Sequence, residues 1–294
     1  MESFRRGWAF LKQAWQMALA DRDLLKPSIY ALFAGFAVTI ILLIPLGFIT
    51  FLLQGSRVGE VIIYVLGAIL IFIQYIVGYV FSAMTVYLIY GYLAEGDGRM
   101  DKAREIVRRD LWDIASLAAA STLVSLLKSA VRGKGRSGGR NLLAGLIETV
   151  WTEAAYLILP AMVIEDINLK DGIKRATQII KDNLLLVGIS TVGVKAVTGL
   201  AGFLLGALGV GLGLGVGLGI ISASQSSVAG LITGVTLGIL VATPFIMFAT
   251  VLSTYTSTAY HTCLYLWARD VERARATGQR SEVNAPSPLA AVLP

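Results

Sequence analysis

The stretch LGVGLGLGVGLG, residues 208–219, places glycine at every second position, between leucine and valine. In a water-soluble protein an alternation of period two is typical of a strand, and glycine is the weakest ordinary helix former. The stretch also lies inside a long apolar run. Its structure therefore depends on whether the chain folds in water or in a lipid bilayer.

The composition of the whole chain favours the bilayer. Of the 294 residues, 56% are hydrophobic and 15% are charged, and the mean hydropathy is +0.72. An average globular domain carries roughly 25% charged residues, so the sequence predicts an integral membrane protein with lipid as its first partner. Cytoplasmic loops of membrane proteins are basic. The net charge of +6 therefore needs no nucleic-acid partner, and none is predicted.

The glycine-rich stretch is predicted to be a helix. A strand in lipid would leave its peptide groups without partners. Each such group costs several kcal/mol, against about 0.5–1 kcal/mol for a glycine in a helix. Two residues lie about 200° apart on a helix, so the glycines form two ladders on opposite faces. One ladder is Gly209, Gly213 and Gly217; the other is Gly211, Gly215 and Gly219; the next helix adds Gly230, Gly234 and Gly238.

Glycines four residues apart let a second helix approach closely. One ladder is predicted to contact the hairpin partner, which leaves the other for a different neighbour. That neighbour is another hairpin of the same chain or another subunit. Of these two alternatives the second is favoured, so a homo-oligomer is expected.

The basic residues predict the topology. Of 25 lysines and arginines, 23 lie in five clusters, and the turns near residues 55–60 and 222–227 hold one basic residue and none. Because cytoplasmic loops are enriched in Lys and Arg, both termini and all five clusters are expected in the cytoplasm. The two turns then face outward. The fold class is all-α, with two long transmembrane hairpins.

The middle of the chain is ambiguous. Its charge-free stretches at residues 114–127 and 154–164 are shorter than the roughly 20 residues that a span needs. If both crossed the membrane, the basic loop at residues 131–140 would lie outside. We therefore predict a helix pair that stays on the cytoplasmic side or is re-entrant. The alternative is two further spans.

Two amphipathic segments, each with apolar residues at helical spacing, precede the hairpins. Tryptophan and basic side chains in such segments suit the headgroup zone of a bilayer. The predicted organisation is an interfacial helix (1–27), the first hairpin (28–94), the middle helices (95–164), a second amphipathic helix (165–183), the Gly-rich second hairpin (184–268) and a cytoplasmic tail (269–294).

Three stretches resemble a family of uncharacterised bacterial and archaeal multi-pass membrane proteins that carry a domain of unknown function. They are RGWAFLKQAWQMALADRDLL (6–25), WTEAAYLILPAMVIEDINLKDGIKRA (151–176) and CLYLWA (263–268). The most specific part is Pro160, Glu165 and Arg175. The resemblance implies a multi-pass fold in the inner cell membrane of a prokaryote. It implies no activity, cofactor or protein partner.

The sequence contains no enzyme signature, and neither a catalytic residue, a cofactor site nor a metal site is predicted. His261 is the only histidine, and no further histidine or cysteine at metal-ligand spacing accompanies it. Glu148 and Glu153 lie in the second middle helix. They are expected to form ion pairs with Arg140, Lys195 or Arg175; proton or ion handling is the alternative role.

Polar residues at helical spacing suggest a conduit. We predict a polar path that is formed by Gln74, Ser82, Thr85, Lys195, Thr243, Thr250, Thr254, Ser257 and His261. Such stripes also serve ordinary hydrogen bonding between helices. The leading hypothesis is a homo-oligomeric channel- or transporter-like assembly for a small solute or ion. The alternative is a non-conducting scaffold or accessory subunit that organises lipid or a partner protein.

Overall fold

The computed structural model describes residues 2–53, 56–132, 138–182, 184–224, 227–277 and 283–291. Every regular element in these ranges is helical. A short 3-10 helix, Arg22–Leu24, separates the first two α-helices. The α-helices are α1 (Glu2–Ala20), α2 (Lys26–Leu52), α3 (Arg57–Glu95), α4 (Met100–Arg109), α5 (Leu111–Arg132), α6 (Gly138–Glu165), α7 (Leu169–Asp182), α8 (Leu184–Ala223), α9 (Val228–Ala276) and α10 (Ser287–Ala290).

Within the described ranges, six helices are long and apolar enough to cross a membrane, by length and composition. They lie at Arg22–Leu52, Arg57–Glu95, Leu111–Arg132, Asn141–Glu165, Gly193–Ala223 and Val228–Ala276. The chain is an all-α membrane protein, as the sequence predicts. The middle helices α5 and α6 have 22 and 28 residues, because each continues through charged side chains beyond its charge-free stretch. Length therefore supports the alternative of two further spans, whereas the cytoplasmic placement of this pair stays a prediction.

The chain forms two compact units. The first consists of Met1–Met17, Leu185–Tyr260 and Ser287–Pro294, and the second of Ala18–Leu184 and His261–Pro286. Helix α9 belongs to the first unit as far as Tyr260 and to the second from His261 onward.

In the first unit, α8 and α9 form a hairpin and α1 packs on it. Gly7 of α1 lies directly against the backbone of Gly193. Leu11, Val197 and Leu252 are buried together, with Trp15 packed beside them. The Tyr255 hydroxyl donates to the carbonyl oxygen of Ala14 at 3.1 Å. The predicted apolar stripe of α1 is only partly buried, because Trp8 remains 55% exposed.

In the second unit, α3 is the central helix, because it packs against α2, α4, α5 and α6. It starts at Ser56, whose hydroxyl accepts the amide of Gly59 at 2.9 Å. It ends at Gly96, whose φ of 80° requires glycine or strain. The loop that follows is held by Asp21, which accepts the amide of Gly98 at 2.7 Å.

Candidate functional site

An acid–base pair lies among the apolar helices of the second unit. His261 Nε2 of α9 lies 3.1 Å from Glu153 Oε2 of α6, and their side chains are 3% and 22% exposed. The ring of Tyr156 stacks on the imidazole with centroids 4.6 Å apart and an interplanar angle of 11°. Glu153 and Tyr156 reach the same histidine because residues three apart share a helix face.

The chemistry of this pair follows from its surroundings. A charge in an apolar setting is unfavourable unless it is paired and hydrogen-bonded. The Glu153–His261 contact can exist as carboxylate and imidazolium or as carboxylic acid and imidazole, and both forms hold one proton between them. The arrangement can therefore hold one proton without leaving an isolated charge, and release of that proton leaves a single negative charge on the pair.

Ser121 of α5 organises a second polar cluster, which shares helix α6 with the first. Its hydroxyl accepts the indole N–H of Trp151 at 2.9 Å and lies 2.7 Å from the hydroxyl of Tyr79. Tyr75 stacks on Tyr79 with ring centroids 5.8 Å apart. Trp151 and Glu153 are two residues apart on α6, so this helix carries polar groups on two sides.

Ion pairs hold the end of α6 to α7 and α9. Arg175 contacts Glu165 at 3.3 Å and also pairs with Glu272. Burial acts to lower the pKa of Arg175, but the hydrogen bond with Glu272 and the charge of Glu165 outweigh it and raise this pKa above its usual range. Beside them, Arg109 joins Asp110 at 2.7 Å and Asp166 at 3.1 Å.

Each of the two predicted glutamates has a partner outside the expected set, and the expected ion pair with Lys195 stays a prediction. Glu148 pairs with Lys128, and Glu153 pairs with His261. Neither Lys128 nor His261 was among the expected partners. Of those expected, Arg175 binds Glu165 and Glu272, and the side chain of Arg140 lies outside the described side chains.

The residues of the predicted polar path are divided between the two units. Gln74, Ser82, Thr85 and His261 belong to the second unit, and Lys195, Thr243, Thr250, Thr254 and Ser257 to the first. The Gln74 amide donates to the Gly35 carbonyl at 2.9 Å and to the Thr39 hydroxyl at 2.6 Å, which joins α3 to α2.

Several of the predicted hydroxyls bond within their own helix. Thr85, Thr243 and Thr250 each donate to the carbonyl four residues earlier. Thr85 is buried, Thr243, Thr250 and Lys195 are exposed, and Ser82, Thr254 and Ser257 are half-buried. A continuous conduit through both units stays a prediction.

The glycine ladders occupy different environments. A Cβ added at Gly209 would lie 2.5 Å from Phe245, one at Gly217 would lie 2.9 Å from the Gly234 carbonyl, and Gly213 faces Gly238 in the same way. Gly211, Gly215 and Gly219 would meet nothing within 4 Å. Gly230 instead lies against Ser224 in the turn between the helices. An apolar groove of about 250 Å³ runs along the contact.

The sequence alone did not single out Ser121, Tyr79, Tyr156 or Trp151. A usable signal was present for α6, because Glu153, Tyr156 and Pro160 recur at spacings of three and four along an apolar helix. Among the described residues, no group of three or more His, Cys, Asp or Glu side chains could hold a metal ion.

No family model, no curated protein and no solved structure matches the chain. The resemblance to the uncharacterised prokaryotic family therefore has no match to support it, and function has to be argued from the site.

Proposed function

We propose that this membrane protein is a homo-oligomeric channel or transporter for a small ion or solute, with the Glu153–His261 pair on the permeation path. The pair is the observation that carries the proposal. Ionisable residues inside membrane helices are costly, and they commonly mark ion pathways and proton relays. Glu153 lies midway along the candidate span Asn141–Glu165.

The other two acidic groups of α6 support this choice by contrast. Glu148 is 51% exposed and bonded to Lys128, and Glu165 terminates the helix in the Arg175 cluster. Both have roles that an ordinary surface or interhelical ion pair explains. Glu153 lies away from the helix ends and contacts a histidine on which an aromatic ring stacks. Apolar side chains at this site would stabilise the fold more simply.

The proposal is tested by flux through proteoliposomes that contain the purified full-length chain and a pH-sensitive dye or a small radiolabelled cation. Wild type should conduct. Glu153→Gln and His261→Gln should each reduce the flux at least about ten-fold. This reduction corresponds to an increase of about 1.4 kcal/mol in the free-energy barrier to permeation. Glu148→Gln is the matched control on the same helix and should conduct as wild type does.

Two outcomes separate this function from the alternatives. Equal flux through wild type and both variants would remove the pair from the path. Absence of flux from a correctly folded wild-type protein, under voltage and under tension, would favour the non-conducting scaffold. We place the protein in the inner cell membrane of a prokaryote with both termini in the cytoplasm.

The hairpin supports the oligomeric part of the proposal. Helical periodicity places Gly211, Gly215 and Gly219 on the face of α8 that points away from α9, where an added Cβ would meet nothing within 4 Å. It likewise places the exposed Thr243 and Thr250 on the face of α9 opposite Gly234 and Gly238. The two outer faces differ, so a contact between them would be head-to-tail, and such contacts form a ring when the rotation between subunits closes.

A further inference from the structure

The junction of α4 and α5 exposes a large aromatic side chain next to basic ones. Trp112 is 83% exposed, and the neighbouring Leu111 is 44% exposed. Arg108 and Arg104, one and two turns earlier, are exposed as well. This surface is separate from the Glu153–His261 pair and from the glycine hairpin, and the inference drawn from it does not depend on transport.

Arg104, Arg108 and Trp112 share one face, because the helix is nearly continuous across the junction of α4 and α5. The amide of Asp110 donates to the Ile106 carbonyl at 2.9 Å, and the Asp110 carbonyl accepts the amide of Ile114 at 2.9 Å. Spacings of four therefore hold from Arg104 through Arg108 to Trp112. The opposite face is the packed one, as the burial of Ala103, Val107, Ile114 and Leu117 indicates.

The other arginines near this face are already paired. Arg99 binds Asp101 at 3.1 Å, and Arg109 binds Asp110 and Asp166. Within the described part of the chain, no ion pair is found for Arg104 or Arg108. Glu105, which follows Arg104 directly, points about 100° away from it around the helix, and Asp110, two residues after Arg108, is bonded to Arg109.

The position of the surface along the chain indicates a bilayer interface. The charged helix α4 ends at Arg109, and the candidate span Leu111–Arg132 begins two residues later. Leu123, Leu126 and Leu127 continue the exposed apolar surface of this span. An indole at the start of such a span prefers the headgroup level, and a guanidinium binds a phosphate with two hydrogen bonds.

We propose that Arg104, Arg108 and Trp112 form a binding site for the headgroup of an anionic phospholipid. The two guanidinium groups contact the phosphate, and the indole lies at the level of the glycerol backbone. An anionic headgroup is preferred to a zwitterionic one, because the latter places a cationic group near the arginines. Each arginine near a charged lipid surface contributes about five-fold in affinity.

The test uses the full-length protein in nanodiscs with brominated lipids, which quench nearby tryptophan fluorescence. The chain has five tryptophans, so the signal of Trp112 is taken as the difference between wild type and Trp112→Phe. Brominated phosphatidylglycerol should quench Trp112 at a lower mole fraction than brominated phosphatidylcholine. The double substitution Arg104→Gln with Arg108→Gln should remove this preference.

A matched control removes the same charge elsewhere. Arg273→Gln with Arg275→Gln alters two exposed arginines in the last turn of α9 and should leave the lipid preference of Trp112 unchanged. Equal quenching of Trp112 by both lipids in the wild-type protein would overturn the proposal. So would a preference that survives the double substitution at residues 104 and 108 or that disappears in the control.

Discussion

Gly213 and Gly238 face each other so closely that neither position has room for a side chain. A Cβ at Gly238 would lie 2.7 Å from the Gly213 carbonyl oxygen, and a Cβ at Gly213 would meet the Gly238 carbonyl in return. The atoms in the way belong to the backbone, which cannot swing aside as a flexible side chain can. The crossing of α8 and α9 therefore requires glycine at both positions.

Gly213→Leu should weaken the hairpin of each subunit. Inserting carbon atoms into a packed contact typically costs about 1–3 kcal/mol. The expected result is a lower midpoint of thermal unfolding, followed by tryptophan fluorescence in detergent. A midpoint equal to that of wild type would show that α8 and α9 do not cross at this residue.

Gly215→Leu is the matched substitution on the open face of α8. An added Cβ there would meet nothing within 4 Å, so the unfolding midpoint should remain at or above the wild-type value. If a second subunit packs on this face, the size of the oligomer in native mass spectrometry should fall. An unchanged oligomer for both glycine variants would remove the subunit contact from the proposal.

Substitutions of Gly96 and of Gly78 should change the stability of the protein in opposite directions. Gly96 ends α3 with a φ of 80°, so Gly96→Ala should lower stability by about 1 kcal/mol through backbone strain. Gly78 lies inside α3 with open space around its Cα, so Gly78→Ala should raise stability by about 0.5–1 kcal/mol through helix propensity. Chemical denaturation of the two variants checks both signs, and a loss of stability in Gly78→Ala would contradict the open helical environment of residue 78 in α3.

The all-helical fold could be predicted from the sequence, because long apolar runs in a bilayer have few other solutions. The lengths of the middle helices could not. The sequence argument counted only charge-free residues, whereas α5 continues through Asp113 and Lys128 and α6 through Glu148 and Glu153. Asp113 and Lys128 lie near the ends of α5, where charged side chains can extend to the interface, and Glu153 is bonded to His261 in the interior of α6, so charge does not fix where a membrane helix ends.

The candidate site could be predicted only in part. Glu153 is conspicuous as an acid in an apolar helix, but its partner His261 is 108 residues away. Helical periodicity relates residues within one helix and contains no information on which helices are neighbours. Ser121 illustrates the same limit, because a serine in a small-residue run gives no sign that Trp151 and Tyr79 converge on it.

Ser121→Ala should therefore disturb two aromatic side chains at once. The substitution removes the acceptor of the Trp151 indole N–H and the hydroxyl beside Tyr79, and an unpaired buried polar group costs about 1–3 kcal/mol. We expect a lower unfolding midpoint and a shifted fluorescence maximum that Trp151→Phe abolishes. Ser129→Ala, an exposed position on the same helix, should change neither quantity. A Ser121→Ala protein with the wild-type midpoint and spectrum would contradict the cluster.

The side of the membrane on which the 133–137 segment lies distinguishes the two topologies. The chain has one cysteine, Cys263, which is buried, so Ser137→Cys combined with Cys263→Ala provides a single labelling position. If α5 and α6 span the membrane, a membrane-impermeant thiol reagent should label residue 137 from outside intact cells. Labelling only after permeabilisation would support the middle helices on the cytoplasmic side. A cysteine at Thr277, near the expected cytoplasmic end of α9, serves as the reference.

The Arg175 cluster should stabilise the protein over an unusually wide pH range. Breaking its charged hydrogen bonds with Glu165 and Glu272 by Arg175→Gln should cost about 1.5–3 kcal/mol. The folded protein raises the pKa of Arg175, so this stabilisation is complete below the pKa of the unfolded chain and is lost only as the pH rises through the higher folded value. The ordinary pKa of arginine already lies far into the alkaline range and the folded value is higher still, so the contribution should be constant from about pH 7 to about pH 11.

Arg175→Lys supplies the matched comparison. It keeps the positive charge at neutral pH, but a lysine loses this charge at a lower pH than an arginine does. A lysine has an ordinary pKa of about 10.4, so its contribution should decline as the pH rises above that value. The unfolding midpoints of wild type and Arg175→Lys are measured at about pH 7 and about pH 11, and that of Arg175→Gln at the same pH values is subtracted to remove the effects of other groups. The two corrected midpoints should diverge at the higher pH. Parallel behaviour of the two proteins would mean that the charge at position 175 does not hold α6, α7 and α9 together.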